Sequence, residues 1–288
     1  MIEQILEKLM KRYGALKITP LKGGYTNSTV LMDGTEPLLV AKIARRDNQD
    51  TLNEIGCLGL LKGENIIPSL YETFDLFDFR IMIMDYREGI NGQFILDDHK
   101  WNEAIELYKL LGISLASHIH AIAYRADGCG IIRKSSLGSL REMVFDLDFV
   151  PLSLKTSSDE ILSIIKESES EWVLTHGDYG PHNILISQGK QLSVLDWEWA
   201  EWAHPLNDLA WVYWFTNYHY PDEADLLFES FINGYVLHKR ISYEPNLIKA
   251  YCIDKILNIL LRVKNAAKDV QDEWIRRLDW TLNKEFCI

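Results

Sequence analysis

The stretch His176-Gly177-Asp178-Tyr179-Gly180-Pro181-His182-Asn183, followed by Val194-Leu195-Asp196-Trp197-Glu198, decides how this chain is read. Asp178 and Asn183 are five residues apart, and Asp196 comes thirteen residues after Asn183. Between them, Ile184-Leu185-Ile186 and Leu192-Ser193-Val194-Leu195 are strand-like runs on either side of Gln188-Gly189-Lys190, which predicts a short hairpin. His-Gly-Asp alone is ordinary loop chemistry, as is Tyr-Gly-Pro. The hairpin is what puts Asp196 in register with Asn183.

An Asp, an Asn five residues on and a second Asp one hairpin downstream are spaced for phosphoryl transfer. In that arrangement the first Asp takes the acceptor hydroxyl's proton, and the Asn and second Asp hold magnesium. Magnesium prefers oxygen ligands and keeps several waters, so one amide oxygen, one carboxylate and the nucleotide phosphates suffice to hold it. Asp178 is the expected catalytic residue, kept off the metal, and Asn183 and Asp196 are the expected metal ligands.

Working outward, Leu21 to Thr29 contains Gly23-Gly24-Tyr25-Thr26-Asn27-Ser28 and leads into two strand-like runs, Val30 to Met32 and Leu38 to Ile43. Lys42 lies in the second run, where its charge is expected to reach the α- and β-phosphates of a nucleotide. Glu54, on a helix predicted over Thr51 to Leu61, is the expected partner of Lys42. Gly23, Gly24, Thr26 and Ser28 are expected to contact the nucleotide. Arg80 to Tyr86 reads as a buried strand whose end, from Met84 through Tyr86 to Glu88, is placed to meet the adenine edge. A lobe boundary is drawn after residue 86, giving 1–86 as a small nucleotide-binding lobe and 87–288 as a larger catalytic and acceptor-binding lobe.

The second part reads as helical. Apolar spacing predicts one helix from Trp101 to Arg125 and others over Pro221 to His238, Asn246 to Val263 and Val270 to Leu282. His118 and His120 are two residues apart and face different ways, so they are expected in core or interface roles. Trp197, Trp199, Trp202, Trp211, Tyr213, Trp214, Phe215, Tyr218 and Tyr220 crowd after Asp196. Such rings usually build core, and ring faces also attract ammonium groups, so a cage for a cationic ligand is a second reading. Glu198, Trp199 and Trp202 are the expected acceptor contacts.

Composition narrows the partners. With 47% hydrophobic and 25% charged residues, the 288-residue chain has an ordinary globular composition. Its net charge of −12 is uneven: residues 1–86 hold 10 basic and 12 acidic residues, and residues 87–288 hold 20 and 30. Nucleic acid is a poor partner for that surface, and a cationic small molecule a better one. The longest uncharged run, Leu110 to Tyr124, is too short to span a bilayer, and Met1 to Gly14 is amphipathic, unlike a signal peptide. Cys57, Cys129, Cys252 and Cys287 are scattered, as expected of reduced thiols in a cytoplasmic protein.

His176-Gly177-Asp178 with Asn183, Asp196-Trp197-Glu198-Trp199-Ala200 and Pro205-Leu206-Asn207-Asp208-Leu209-Ala210 together resemble the aminoglycoside phosphotransferase-like kinases, a family that includes choline, homoserine, methylthioribose and macrolide kinases. The resemblance covers nearly the whole chain. It implies an α+β, bilobal protein-kinase-like fold with a small β-rich N-terminal lobe and a larger helical C-terminal lobe. It further implies Mg2+ with ATP or GTP as donor and a small-molecule hydroxyl as acceptor, in a monomer or dimer. Asp208 and His176 are implied as supports of the catalytic loop. Two departures stand out: Gly23-Gly24 replaces a G-x-G-x-x-G loop, and Trp197-Glu198 follows the metal Asp where protein kinases carry Phe-Gly. The second favours a small-molecule kinase; the acidic balance and the resemblance together put an aminoglycoside-like acceptor first. A metabolic acceptor (choline, homoserine, methylthioribose or a sugar), a non-catalytic nucleotide-binding protein and a metal-dependent phosphoesterase are the alternatives; two-metal hydrolases need more ligands than this stretch supplies.

Overall fold

Strand alternation sorts the N-terminal residues onto two faces. The computed structural model describes residues 1–21, 27–126, 130–135, 142–166 and 168–286. Helix α1 (Ile2–Tyr13) precedes β1 (Lys17–Pro20), β2 (Ser28–Asp33), β3 (Leu39–Arg45), α2 (Gln49–Leu60), β4 (Leu70–Leu76) and β5 (Phe79–Asp85). The five strands form one antiparallel sheet in the order β1-β2-β3-β5-β4. Val30, Met32, Ala41, Ile43, Ile81 and Ile83 share one face and form a core with Ile5 and Leu9 of α1. The register pairs Thr29 with Lys42 and Val40 with Met84, which puts these four on the opposite face.

The described chain divides into two compact units, and the division is not the single break expected after residue 86. The first comprises Met1–Phe94, Gly130–Ile132 and Pro181–Ala200; the second comprises Ile95–Cys129, Arg133–Gly180 and Glu201–Ile288. Pairing causes the interleaving. Strands β9 (Ile184–Ile186) and β10 (Leu192–Val194) form a three-stranded sheet with β6 (Ile90–Asn91), and Val194 N–H donates to the Ile66 carbonyl at 2.6 Å. Short helix α3 (Gly92–Asp97) follows β6.

The second unit is mainly helical, with α4 (Trp101–Ser114), α5 (Leu152–Leu162), α6 (Leu206–His219), α7 (Ala224–Tyr235), α8 (Pro245–Arg262) and α9 (Lys268–Asn283). Its small sheet runs β7 (Arg133–Lys134), β11 (Glu201–Ala203), β8 (Val173–Thr175). Helices α4 and α7 meet backbone to backbone at Gly112 and Gly234, where a Cβ would strike the Phe231 or Lys109 carbonyl. Helix α6 is buried on every side from Leu206 to Trp214, as expected of a central helix. The helix expected from Trp101 to Arg125 is shorter. Helix α4 passes into a π turn, Leu115–Ile119, and beyond it Tyr124 N–H bonds the Trp172 carbonyl while the Ile122 carbonyl accepts from Leu174 beside β8. Extended pairing with β8 therefore takes the backbone groups that further helix would need. Among the described residues, no helix is long and apolar enough to cross a membrane.

Candidate active site

Hairpin pairing brings the two expected metal ligands together. Ile184 lies opposite Val194, and Leu195 N–H donates to the Asn183 carbonyl at 2.9 Å. Asn183 and Asp196 thus flank the same end of the hairpin and line one pocket of the first unit. Asp196 adopts φ 62° and ψ 72°, in the left-handed region. For a residue with a Cβ that conformation costs roughly 1–2 kcal/mol, a strain that clusters at functional sites. Its carboxylate side chain remains 41% exposed.

The sheet supplies Lys42 to the same pocket, with Nζ 2.6 Å from Glu54, 2.8 Å from Glu198 and 3.3 Å from Asp196. Burial works against the charge of Lys42, but attraction by the three carboxylates outweighs it and holds the ammonium above its usual pKa. Burial also raises Glu54, to about 7, with Lys42 pulling it down and Asp196 and Glu198 pushing it up. One oxygen from each carboxylate lies within 4.8 Å of the others. Three carboxylates around one ammonium carry excess negative charge when ionised, and every donor is a hard oxygen. Asn183 and Asp196, with Glu198 beside them, therefore fit a magnesium ion.

Glu198 had been expected to meet the acceptor, and the fold turns it inward to Lys42. Helix α2 explains why. Asn48 caps that helix by accepting Asp50 N–H at 2.9 Å, and one turn on the Asn53 amide donates to the Ala200 carbonyl at 2.7 Å. Asn53 also reaches the Trp197 and Glu198 carbonyls at 3.4 Å, and the Asn27 amide donates to the Glu198 carboxylate. Trp202 needs the same correction: it is 2% exposed and packs against the Tyr124 ring at 5.6 Å, leaving no face for an acceptor. Trp199 is partly exposed.

Leu21, Val40, Leu58, Met84, Leu185 and Leu195 give the pocket apolar faces of the kind that take a planar base. Tyr86 lines it too, but Tyr86 N–H donates to the Leu38 carbonyl at 2.8 Å and Asp85 N–H to the Ser69 carbonyl at 3.2 Å. Arg87 went unnoticed in the sequence; its guanidinium donates to the Ile67 carbonyl at 2.6 Å and pairs with Asp85 at 3.1 Å, bracing this end of the pocket. Ser28 is exposed, and strand alternation gives the pocket wall Thr29 in its place. Gly23, Gly24 and Thr26 lie outside the described residues.

His176, Gly177 and Asp178 belong to the second unit. Gly177, at φ 77°, permits the reversal between its neighbours. Asp208, in the first turn of α6, accepts His176 N–H on Oδ2 and Gly177 N–H on Oδ1, both at 2.7 Å. His120 Nε2 lies 3.0 Å from the same Oδ2, and its Nδ1 lies 2.8 Å from the Tyr235 hydroxyl. Burial holds His120 below its usual pKa, which assigns it as neutral, donating to Asp208 and accepting from Tyr235. Burial alone would raise Asp208, but the hydrogen bonds from His120 and from His176 N–H keep its carboxyl below the usual range. Asp178 N–H donates to His176 Nδ1 at 3.2 Å, and its Oδ1 accepts Trp211 Nε1–H at 2.8 Å.

This brace makes stability depend on pH. Both groups have folded pKa values below their unfolded ones, so the unfolded chain takes up protons first as pH falls. Stability contributed by His120 is present above its unfolded pKa of about 6.5 and is lost on acidification; the contribution of Asp208 is lost further down. His204, also lowered by burial, adds in the same direction. The melting temperature is expected to fall as pH drops below about 6.5, and His120→Gln, which keeps an N–H for Asp208 without titrating, is expected to flatten that fall. An unchanged slope in the variant would show that His120 is not the titrating group.

The aromatic residues of α6 stack with one another. Trp214 lies 4.7 Å from Trp211 and 4.8 Å from Tyr218. Arg277 of the same chain sits over Tyr218 at 5.1 Å and Trp274 at 4.5 Å. The protein's own guanidinium thus occupies ring faces that a cage for an external cation would need.

The family model described as the phosphotransferase enzyme family, APH, matches residues 17–241. The chain belongs to the APH family. That family is described as one of phosphotransferase enzymes, and the fold of this chain is the protein-kinase-like α+β one. Solved structures support the fold across nearly the whole chain. Spectinomycin phosphotransferase APH(9)-Ia, in complex with ADP and spectinomycin, has a TM-score of 0.66 at 16% identity, covering 98% of this chain and 95% of that one. Aminoglycoside phosphotransferase APH(4)-Ia has a TM-score of 0.70 at 14% identity, covering 98% of each. Amicoumacin kinase hAmiN, in complex with AMP-PNP and Ca2+, has a TM-score of 0.71 at 14% identity, covering 99% of this chain and 94% of that one. A curated relative, acyl-CoA dehydrogenase family member 11 of Mus musculus, is 33% identical over 101 residues, covering 30% of this chain and 13% of that protein.

Proposed function

We propose that this APH-family chain transfers the γ-phosphoryl group of ATP or GTP to a hydroxyl of a small molecule, with magnesium as the metal. The observation that carries this reading is the pocket in which Lys42, Glu54, Asn183 and Asp196 meet below apolar faces of nucleotide-binding character. Lys42, held by Glu54, orients the α- and β-phosphates, while Asn183 and Asp196 supply oxygens for the metal. When bound, magnesium neutralises charge on the β- and γ-phosphates. Asp178 orients the acceptor hydroxyl and takes its proton. The acceptor oxygen bonds to the γ-phosphorus, the bond from that phosphorus to the β–γ bridging oxygen breaks, and the nucleoside diphosphate leaves.

For the acceptor, an aminoglycoside-like cation is favoured. Support comes from the acidic balance of residues 87–288 and from the antibiotics named in the complexes of the structural neighbours. The aromatic stack adds no support, because Arg277 already lies on it. The test is magnesium-dependent transfer from ATP and GTP to a panel of aminoglycosides, macrolides, choline, homoserine and sugar alcohols. Transfer to the aminoglycosides is expected; transfer to another class alone would reassign the acceptor, and nucleotide binding without any transfer would remove the enzymatic reading.

Asp196→Asn separates metal binding from chemistry. The variant is expected to weaken magnesium-dependent nucleotide affinity and turnover together by at least about tenfold, with metal-free nucleotide binding little changed. Full activity at ordinary magnesium concentrations would exclude Asp196 as a ligand.

A further inference from the structure

Trp211 is buried, lies outside every expected site residue and touches the expected catalytic carboxylate. Its Nε1–H donates to Asp178 Oδ1 at 2.8 Å. The indole is itself fixed: Trp214 is parallel to it at 4.7 Å and an interplanar angle of 3°, and Lys255 Nζ of α8 stands 5.6 Å over the ring. Lys255 is buried as well, and burial lowers its pKa against the attraction of Asp178, Glu201 and Asp208. All of these residues belong to the second unit.

We infer that Trp211 is a positioning residue, fixing the rotamer of Asp178 through the hydrogen bond it donates to Oδ1. The inference rests on the proposed role of Asp178 in transfer. An indole N–H donates and cannot accept, so this partner has no means of taking the proton in place of the carboxylate. A Ser, Tyr or His at the same place is able to do both. The parallel Trp214 and the buried Lys255 side chain over the ring hold the indole plane, and through it the carboxylate, to one orientation. Transfer is sensitive to that orientation, because misplacing a reacting group by an ångström costs roughly a hundredfold in rate.

Trp211→Phe keeps an aromatic ring between the same neighbours and removes the donor. Wild type, Trp211→Phe, Asp178→Asn and the double variant are compared in magnesium-ATP turnover, with the acceptor panel and with water as acceptor. The variant Trp211→Phe is expected to lose roughly ten- to a hundredfold in kcat with KM for magnesium-ATP within about twofold. The double variant is expected to be no slower than Asp178→Asn, since both changes act through one carboxylate. Wild-type kcat in Trp211→Phe, or losses that add in the double variant, would overturn the inference while leaving the kinase reading in place. Full turnover in Asp178→Asn would remove the role of Asp178 and the inference with it, and no turnover in the wild type would bring down the kinase reading itself. A second measurement is independent of how Trp211→Phe folds: among the indole N–H resonances of the nine tryptophans, one is expected to shift and to exchange faster with solvent in Asp178→Ala than in the wild type. Unchanged indole spectra would refute the hydrogen bond.

Discussion

Replacing Asp178 by Asn is expected to slow phosphoryl transfer by about a thousandfold while leaving magnesium-nucleotide affinity within about twofold. The expectation follows from where the residue sits. Asp178 belongs to the second unit, whereas Lys42, Asn183 and Asp196 line a pocket of the first. An amide is close in shape to a carboxylate and still accepts the Trp211 N–H through its oxygen, but it takes no proton at neutral pH. Steady-state turnover with the best acceptor of the panel, alongside a nucleotide titration, separates the two effects. Unchanged turnover would remove Asp178 from the chemistry; a parallel loss of nucleotide affinity would make it part of the nucleotide site.

Lys42→Met is expected to damage both stability and function. It removes the ammonium that Glu54, Asp196 and Glu198 share among the described residues and leaves Glu54 buried without that partner. Breaking one side of a buried ion pair typically costs about 3–5 kcal/mol. The cost depends on pH in a direction opposite to the usual carboxylate. Glu54 already has a folded pKa raised to about 7. In the unfolded chain the value is about 4.3, so the folded state binds the extra proton, and stability declines as pH rises from about 4.3 through the folded value. Removing Lys42 pushes that folded value higher and steepens the decline. The melting-temperature deficit of the variant is therefore expected to be large at pH 8 and small at pH 5. Turnover is expected to fall at least about a hundredfold at either pH, because the phosphates lose their cation. A deficit of equal size at both pH values would show that Glu54 is not the group left uncompensated.

Local spacing made the hairpin after Asn183 readable. A five-residue separation and an apolar, turn, apolar pattern are short-range signals, and the structure places Asn183 and Asp196 at one end of the paired strands. The Lys42 to Glu54 pair was legible for the same reason, spanning one strand and one helix and closing at 2.6 Å. Residues whose partners are distant in sequence were not. Glu198 looked like an acceptor contact because nothing near it in sequence reports that Asn53 on α2 would draw the segment inward, 145 positions away. Trp211 was one of nine crowded aromatic residues until α6 set it 33 positions from Asp178. Ser28 was misplaced by a single residue because glycine-rich loops hide where strand alternation begins, and Thr29 took the wall position. The division into units was hidden too, since composition changes little where the chain returns to its first unit at Pro181.

That return has a consequence for a chain made from one end to the other. Lys42 emerges from the ribosome 154 residues ahead of Asp196, with Glu54 as its early neighbour and Glu198 arriving last. At synthesis rates of about 5–20 residues per second the wait is roughly 8 to 30 s. During that interval the five-stranded sheet and α1 have all their residues, but β9 and β10 have yet to be made. The nascent first unit therefore passes through a stage with its hydrophobic sheet core available and its charge cluster half built, and the last step of its maturation is the arrival of a twenty-residue insert that contains Asn183, Asp196 and Glu198.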